Sequence, residues 1–343
     1  MIRSLRDGLR GAVLRGLGEG DLHDSLRNAE ARAKSSELRA ASLELEVAKL
    51  SEALQTKAVN EAALTARISH FDGLKGTDRL IELDFPIRPR VRAGWGDPSY
   101  PQLERLLAED QAVYAERIRA MLPLVGDASR ITQRTDDPTE PHWINDWFPG
   151  FDAFSLYATL ALRRPTTIVE IGSGISTKFA RRAIQDHGLL TRIVSVDPNP
   201  RAEIDAICDT IVRRPLEDTS LDVFSSLAHE DIVFFDGSHR SFQNSDATVF
   251  FLEILPVLPP SVLVGVHDIF IPDDYPPQWL TRFYSEQYLL ASWMLGGNRV
   301  RVHLPVWYCS KIDWLRSLLL PLWDAPNFQG ANIHGGIFWF TVD

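Results

Sequence analysis

The sequence predicts an α/β chain: a doubly wound, mostly parallel sheet preceded by a long N-terminal helix. Two observations carry this. Beyond residue 150 short apolar runs alternate with helical stretches, the pattern of a parallel sheet covered on both faces. From Leu22 to Phe71 selected residues recur at spacings of four and three, the seam of a coiled coil.

Residues 1–20 carry Arg3, Arg6, Arg10 and Arg15 between short apolar groups. A secretory signal needs an unbroken apolar stretch of roughly 7–15 residues, and Asp7, Gly8 and Arg10 interrupt this one. No run reaches the ~18 apolar residues of a membrane span. The segment reads as a solvated start or as a weak contact with an anionic membrane surface. Residues 21–72 are the coiled-coil helix. Its seam is Leu22, Leu26, Ala29, Ala33, Ser36, Ala40, Leu43, Val47, Leu50, Leu54, Lys57, Glu61, Leu64, Ile68 and Phe71. Such a seam needs a second helix, and the expected cover is another copy of the chain, giving a homo-oligomer. The alternative is a helix folded back on its own domain. Residues 73–150 open with a connector set by Pro86, Pro89, Gly94, Gly96 and Pro98. A helix is expected from Pro101 to about Leu124, then a polar loop over 126–150 containing Trp143 and Trp147.

Residues 151–343 form the α/β domain. Strands are expected at Thr167–Ile171, Arg192–Val196, Thr210–Arg213, Asp231–Phe235 and Val262–Val266. Helices are expected at Lys178–His187, Arg201–Cys208 and Ser245–Leu255. Ligands of such sheets sit at the carboxyl ends of the strands, so the chemistry belongs in the loops after them. The 343 residues, 45% hydrophobic and 24% charged, are those of a soluble globular chain. A net charge of −10 weighs against a nucleic-acid backbone as partner. Cys208 and Cys309 form no metal-ligand spacing or disulfide framework, so the cytosol is the expected compartment.

The first strand runs into Glu170-Ile171-Gly172-Ser173-Gly174-Ile175-Ser176-Thr177. Gly172 and Gly174 permit a tight turn and close approach of a ligand to the backbone. Thr177 stands where the dinucleotide fingerprint has its third glycine, so a plain glycine turn is the alternative. The second strand ends in Asp197-Pro198. A carboxylate there can accept from both ribose hydroxyls, although Asp-Pro also favours turns. Together they indicate a nucleoside-bearing cofactor. The fourth strand ends in Asp236-Gly237-Ser238-His239 and the fifth in His267-Asp268. Adjacent strands would gather these carboxylates and imidazoles, able to hold a divalent cation or to deprotonate a hydroxyl.

These motifs resemble those of class I S-adenosylmethionine-dependent methyltransferases, and more closely a bacterial branch found with polysaccharide or natural-product biosynthesis. The resemblance spans about Trp143 to Asp343, including Tyr284-Ser-Glu-Gln-Tyr288 and His334-Gly-Gly-Ile-Phe-Trp339. It implies a Rossmann-like domain that binds S-adenosylmethionine rather than NAD. Glu170, Gly172, Ser173, Gly174 and Ser176 would hold the cofactor, with Asp197 on the ribose, Glu217 and Asp218 at the adenine, and Asp236 nearby. In catechol O-methyltransferase-like enzymes an aspartate after the fourth strand and an acid-amide pair after the fifth bind magnesium. By that resemblance Asp236, His267 and Asp268 are candidate magnesium ligands, although His267-Asp268 departs from the acid-amide pair. His239, three positions past Asp236, replaces the basic residue and is the expected catalytic base, with Asp236 and Asp268 orienting it. An unperturbed imidazole would titrate near pKa ~6.5. The resemblance also points to O-methylation of a glycan or sugar-nucleotide hydroxyl. Another natural product or a protein side chain is the alternative acceptor, and a non-catalytic scaffold the alternative role. Trp279, Arg282, Tyr284, Glu286, Gln287 and Tyr288 would either cap the acceptor or pack onto the sheet; Trp143 and Trp147 would line the same mouth.

Overall fold

In the computed structural model, which describes residues 19–77, 80, 81, 83–297 and 299–342, the chain divides into units Met1–Ile87 and Arg88–Asp343. The basic N-terminal segment lies outside the described residues up to residue 18. The first unit is dominated by α1, Glu19–Leu74, a helix of 56 residues with no proline and no glycine from Asp21 to Phe71. Its seam residues Leu43, Val47, Leu50, Leu54, Leu64 and Ile68 are 53% to 67% exposed. Among the described residues no helix is long and apolar enough to cross a membrane.

The second unit opens with α2 (Pro101–Glu109) and α3 (Gln111–Met121). A single helix was expected here, but Asp110 leaves helical geometry at φ −107° and ψ 18°. Beyond the break, Gln111 donates to the Tyr308 hydroxyl at 2.6 Å and Tyr114 packs edge-on against that ring. Then come α4 (Gly150–Arg163), β1 (Thr167–Ile171), α5 (Ile175–Asp186), β2 (Arg192–Val196), β3 (Thr210–Val212), β4 (Ile232–Phe235), β5 (Leu263–Val266), α6 (Glu286–Leu295), β6 (Val300–Pro305) and β7 (Phe338–Val342). The strands form one Rossmann-like sheet in the order β3-β2-β1-β4-β5-β7-β6. The first five are parallel, and β7 runs antiparallel to both β5 and β6. Every residue of β4 and β5 is buried, as expected of strands covered on both faces. Strand order reverses between β1 and β4, which opens a crevice at their carboxyl ends.

The five expected strands form within about a residue of their expected limits. The helix expected at Arg201–Cys208 does not: only the single turn Asp205–Ile207 is helical. Two forces pull that segment out. Asp205 is drawn into an ion pair with Arg213, and Arg201 reaches over the Trp147 ring at 4.9 Å. Over Ser245–Leu255 the α-helix lasts from Asp246 to Val249, then widens to a π turn at Phe250–Ile254 before Pro256.

Candidate functional site

A cleft of about 620 Å³ opens at the carboxyl ends of β1, β2 and β4. Gly172, Ser173, Gly174 and Ser176 form its floor, and Asp197, Glu217, Asp236 and His239 also line it. Gly172 has φ +77°, and a Cβ there would stand 1.9 Å from the Asp236 carbonyl oxygen. No side chain fits, so the loop closes against β4 only because this residue is glycine. Thr177 carries out what a third glycine does not: its hydroxyl accepts from Gly174 N–H at 2.9 Å and donates to Glu170. Glu170 lies buried beneath the loop, and its Oε1 has no hydrogen-bond partner among the described residues. Burial pushes its carboxyl up to about 7, with the Ser176 and Thr177 hydroxyls offsetting part of the rise.

Asp197 accepts from Ser173 N–H at 2.8 Å and from Asn199 N–H at 2.7 Å, one bond to each oxygen. It therefore braces the loop as a turn residue, while each oxygen keeps acceptor capacity toward the cleft. Glu217 lines the cleft; Asp218, its exposed neighbour in the turn Leu216–Asp218, does not. Trp147 lines the cleft beneath Arg201, whereas Trp143 is a core residue packed on Phe179 and Phe328.

At the ends of β4 and β5 the expected cluster assembles. His239 is buried, with Nε2 3.4 Å from Asp236 Oδ1 and 3.6 Å from Asp268 Oδ2. Its Nδ1 lies 2.6 Å from Glu286 Oε1. Burial opposes the imidazolium, yet Glu286 and then Asp268 and Asp236 outweigh it and raise the pKa to about 9. The ordinary value near 6.5 expected from sequence is thus displaced by three acids, of which Glu286 lies in a distant segment. Asp236 is also pulled upward by burial, but His267 and His239 hold it below the usual carboxylate range. Burial raises the Asp268 carboxyl despite the same two rings.

His267 is a different case. Its Nδ1 lies 3.3 Å from Asp236 Oδ1 and its Nε2 3.2 Å from Asp152 Oδ2. Burial opposes its charge, but Asp268, Asp236 and Asp152 raise its pKa well above the ordinary value. Asp152 comes from the first turn of α4, where the sequence reading named no helix and no site residue. It is fully buried and accepts from Gly336 N–H and Ile337 N–H, each at 2.7 Å. A Cβ on Gly335 would stand 2.3 Å from Asp152 Oδ1, which explains the first of the paired glycines of the closing motif. The signal was a lone aspartate inside the apolar stretch Gly150-Phe-Asp-Ala-Phe.

Asp236, His267 and Asp268 each present a ligating atom, all within 4.8 Å of one another. The set does not suit magnesium, which demands oxygen ligands and near-octahedral geometry. One of the three donors is a ring nitrogen, and the two His267 nitrogens already lie 3.3 Å and 3.2 Å from carboxylate oxygens of Asp236 and Asp152.

The segment after β5 divides between the two readings open in the sequence. Glu286, Gln287 and Tyr275 are buried, as are Asp273 and Asp274. Asp274 accepts from Arg92 N–H, Ala93 N–H and the Tyr100 hydroxyl, and Asp273 from Ser99, Trp307 and Lys311. These acids fasten the 92–100 stretch to the loop that follows β5. Tyr284 instead lies over His239, ring centroids 4.4 Å apart. Arg282 covers Trp279 at 4.3 Å, and Arg240 approaches Tyr284 at 5.2 Å.

Residues 169–269 match the family model described as a methyltransferase domain. The SAH-bound methyltransferase PaMTH1 of Podospora anserina is 18% identical, over 69% of this chain and 96% of that one, with a TM-score of 0.35. An O-methyltransferase from Bacillus cereus in complex with SAH is 16% identical, over 70% and 100%, with a TM-score of 0.32. Cofactor-bound Rv0187 from MTB is 15% identical, over 60% and 89%, with a TM-score of 0.32. No curated protein matches the chain.

Proposed function

We propose that this chain, a class I S-adenosylmethionine-dependent methyltransferase, O-methylates a hydroxyl of a glycan or sugar nucleotide, with His239 as base. The observation that carries the proposal is His239, a buried imidazole whose Nε2 faces Asp236 at the edge of the nucleoside-sized cleft.

Loop 172–176 and Asp197 would hold the methionine and ribose parts of the cofactor, with Glu217 beside the adenine and Glu170 bracing the loop from below. When bound, S-adenosylmethionine supplies a methyl group on positively charged sulfur. His239 Nε2 would take the hydroxyl proton as the hydroxyl oxygen bonds to the methyl carbon, the pair of the broken sulfur–methyl bond staying on sulfur so that S-adenosylhomocysteine leaves. Asp236 and Asp268 stabilise the imidazolium so formed. His267, already cationic between Asp152 and Asp236, keeps Asp236 ionised and oriented. No metal enters this scheme.

A sugar-nucleotide acceptor suits the surface beside the base. Sugar rings pack their C–H faces on aromatic rings such as Trp279 and Tyr284. The guanidiniums of Arg240 and Arg282 match phosphate geometry, and neither has a carboxylate partner among the described residues. The oligomer expected from the seam of α1 is part of the same proposal, with a second copy covering the exposed Leu43, Val47, Leu50 and Leu54. Two free cysteines fit a reducing, cytosolic setting.

The test is transfer of a labelled methyl group to a panel of sugar nucleotides and a cell-envelope glycan extract. Labelled glycan or sugar nucleotide is expected. Label confined to a non-glycan natural product or a protein overturns the acceptor class. Tight cofactor binding with no labelled product favours a scaffold.

A further inference from the structure

The loop after β4 is held by a segment far along the chain. Ser285 N–H donates to the His239 carbonyl at 2.8 Å, and Ser241 N–H donates to the Ser285 hydroxyl at 2.9 Å. Glu286 follows at the start of α6, wholly buried, with Oε1 2.6 Å from His239 Nδ1. Its other oxygen has no hydrogen-bond partner among the described residues. His239 itself sits at φ +64°, a left-handed conformation that is uncommon for a non-glycine residue.

We propose that Glu286 is the positioning residue of His239: it accepts the Nδ1–H bond and so keeps the lone pair of the neutral ring on Nε2. A neutral imidazole has one N–H, and the hydrogen bond at one nitrogen decides which nitrogen is free to act as base. Nδ1 faces a carboxylate at short range. Nε2 faces Asp236 and Asp268 at 3.4 and 3.6 Å, and Asp236, like His239, lines the cleft. Tyr284 also packs against the ring, with Arg240 and Arg282 over Tyr284. Without Glu286 the ring could turn over or adopt the other tautomer, and the proton acceptor would point away from the hydroxyl.

The inference rests on His239 being the base, and two measurements separate the claims. The first needs no acceptor: nitrogen-15 shifts of the His239 ring, recorded across pH in the full-length protein with bound S-adenosylhomocysteine. The neutral ring is expected as the Nδ1–H form. In Glu286→Gln its titration should fall by a pH unit or more toward ~6.5, and in Glu286→Asp by less. The second is turnover with the glycan extract as methyl acceptor. Glu286→Gln should lower kcat by ~10-fold or more, move the pH–rate profile to lower pH and leave the KM for cofactor unchanged. Glu286→Asp should recover part of the loss. A neutral Nε2–H ring in the unaltered protein overturns the proposal, even if the Gln variant does not fold. A kcat loss with an unmoved pH profile overturns it too, because a structural defect would not follow the ring. Full turnover by His239→Ala removes the base and the positioning role with it, whereas an Nε2–H ring removes only Glu286.

Discussion

At His239 the carboxylates of Glu286, Asp268 and Asp236 outweigh burial and raise the imidazole from its ordinary value near 6.5 to about 9. The direction has a kinetic consequence. A base must be neutral to act, so the His239-dependent rate should climb with pH until about 9 rather than level off just above neutrality. A profile that is flat from pH 7 upward would deny His239 the role. His239→Ala should lose ~100-fold or more in kcat while calorimetry still finds the cofactor bound. Gly172 makes a second residue-scale case, since any side chain there meets the Asp236 carbonyl. Gly172→Ala should weaken cofactor binding and lower the melting temperature together. Unchanged affinity would show that the loop does not floor the site. Both residues were legible in the sequence, one as a histidine after a strand, the other as a glycine in a turn. The raised pKa was not, because Glu286 reaches His239 from 47 residues away.

Among the elements, strands were the most readable. Thr167–Ile171 and Arg192–Val196 are compact apolar runs whose limits match β1 and β2. Helices were harder where side chains had stronger offers elsewhere, as at Asp205 with Arg213. The most consequential omission was α4, whose apolar composition hides the one acid that matters, Asp152. That carboxylate joins α4, the end of β5 and the glycines before β7 in one buried knot. Removing it strands the His267 charge and two backbone N–H groups. Asp152→Ala should therefore cost about 3–5 kcal/mol in denaturant unfolding. A change under about 1 kcal/mol, the range of exposed pairs, would mean that the knot contributes little.

For the whole molecule two features can be tested apart from each other, the long helix and the cluster around His239 and His267. Deleting residues 1–75 should lower the oligomeric state in sedimentation and leave cofactor affinity intact; a full-length protein already monomeric at micromolar concentration would contradict the seam's role. If His267 supplies the positive charge beside Asp236, as proposed, activity should survive a strong chelator and gain nothing from added magnesium; loss of activity with the chelator, restored by magnesium, would contradict that role. What the sequence could not convey was which of its acids would meet: Asp152, Asp236, Asp268 and Glu286 converge on two histidines only after folding. The central claim is that this cluster, beside the cofactor cleft, deprotonates a hydroxyl for methyl transfer. Its most direct test is mass spectrometry of products formed from trideuteromethyl-labelled S-adenosylmethionine and the glycan extract, comparing the unaltered protein with His239→Ala. The expected result is a sugar hydroxyl bearing one labelled methyl group with the unaltered protein and almost none with the variant. Equal labelling by both proteins, or none by a cofactor-bound unaltered protein, would contradict the account.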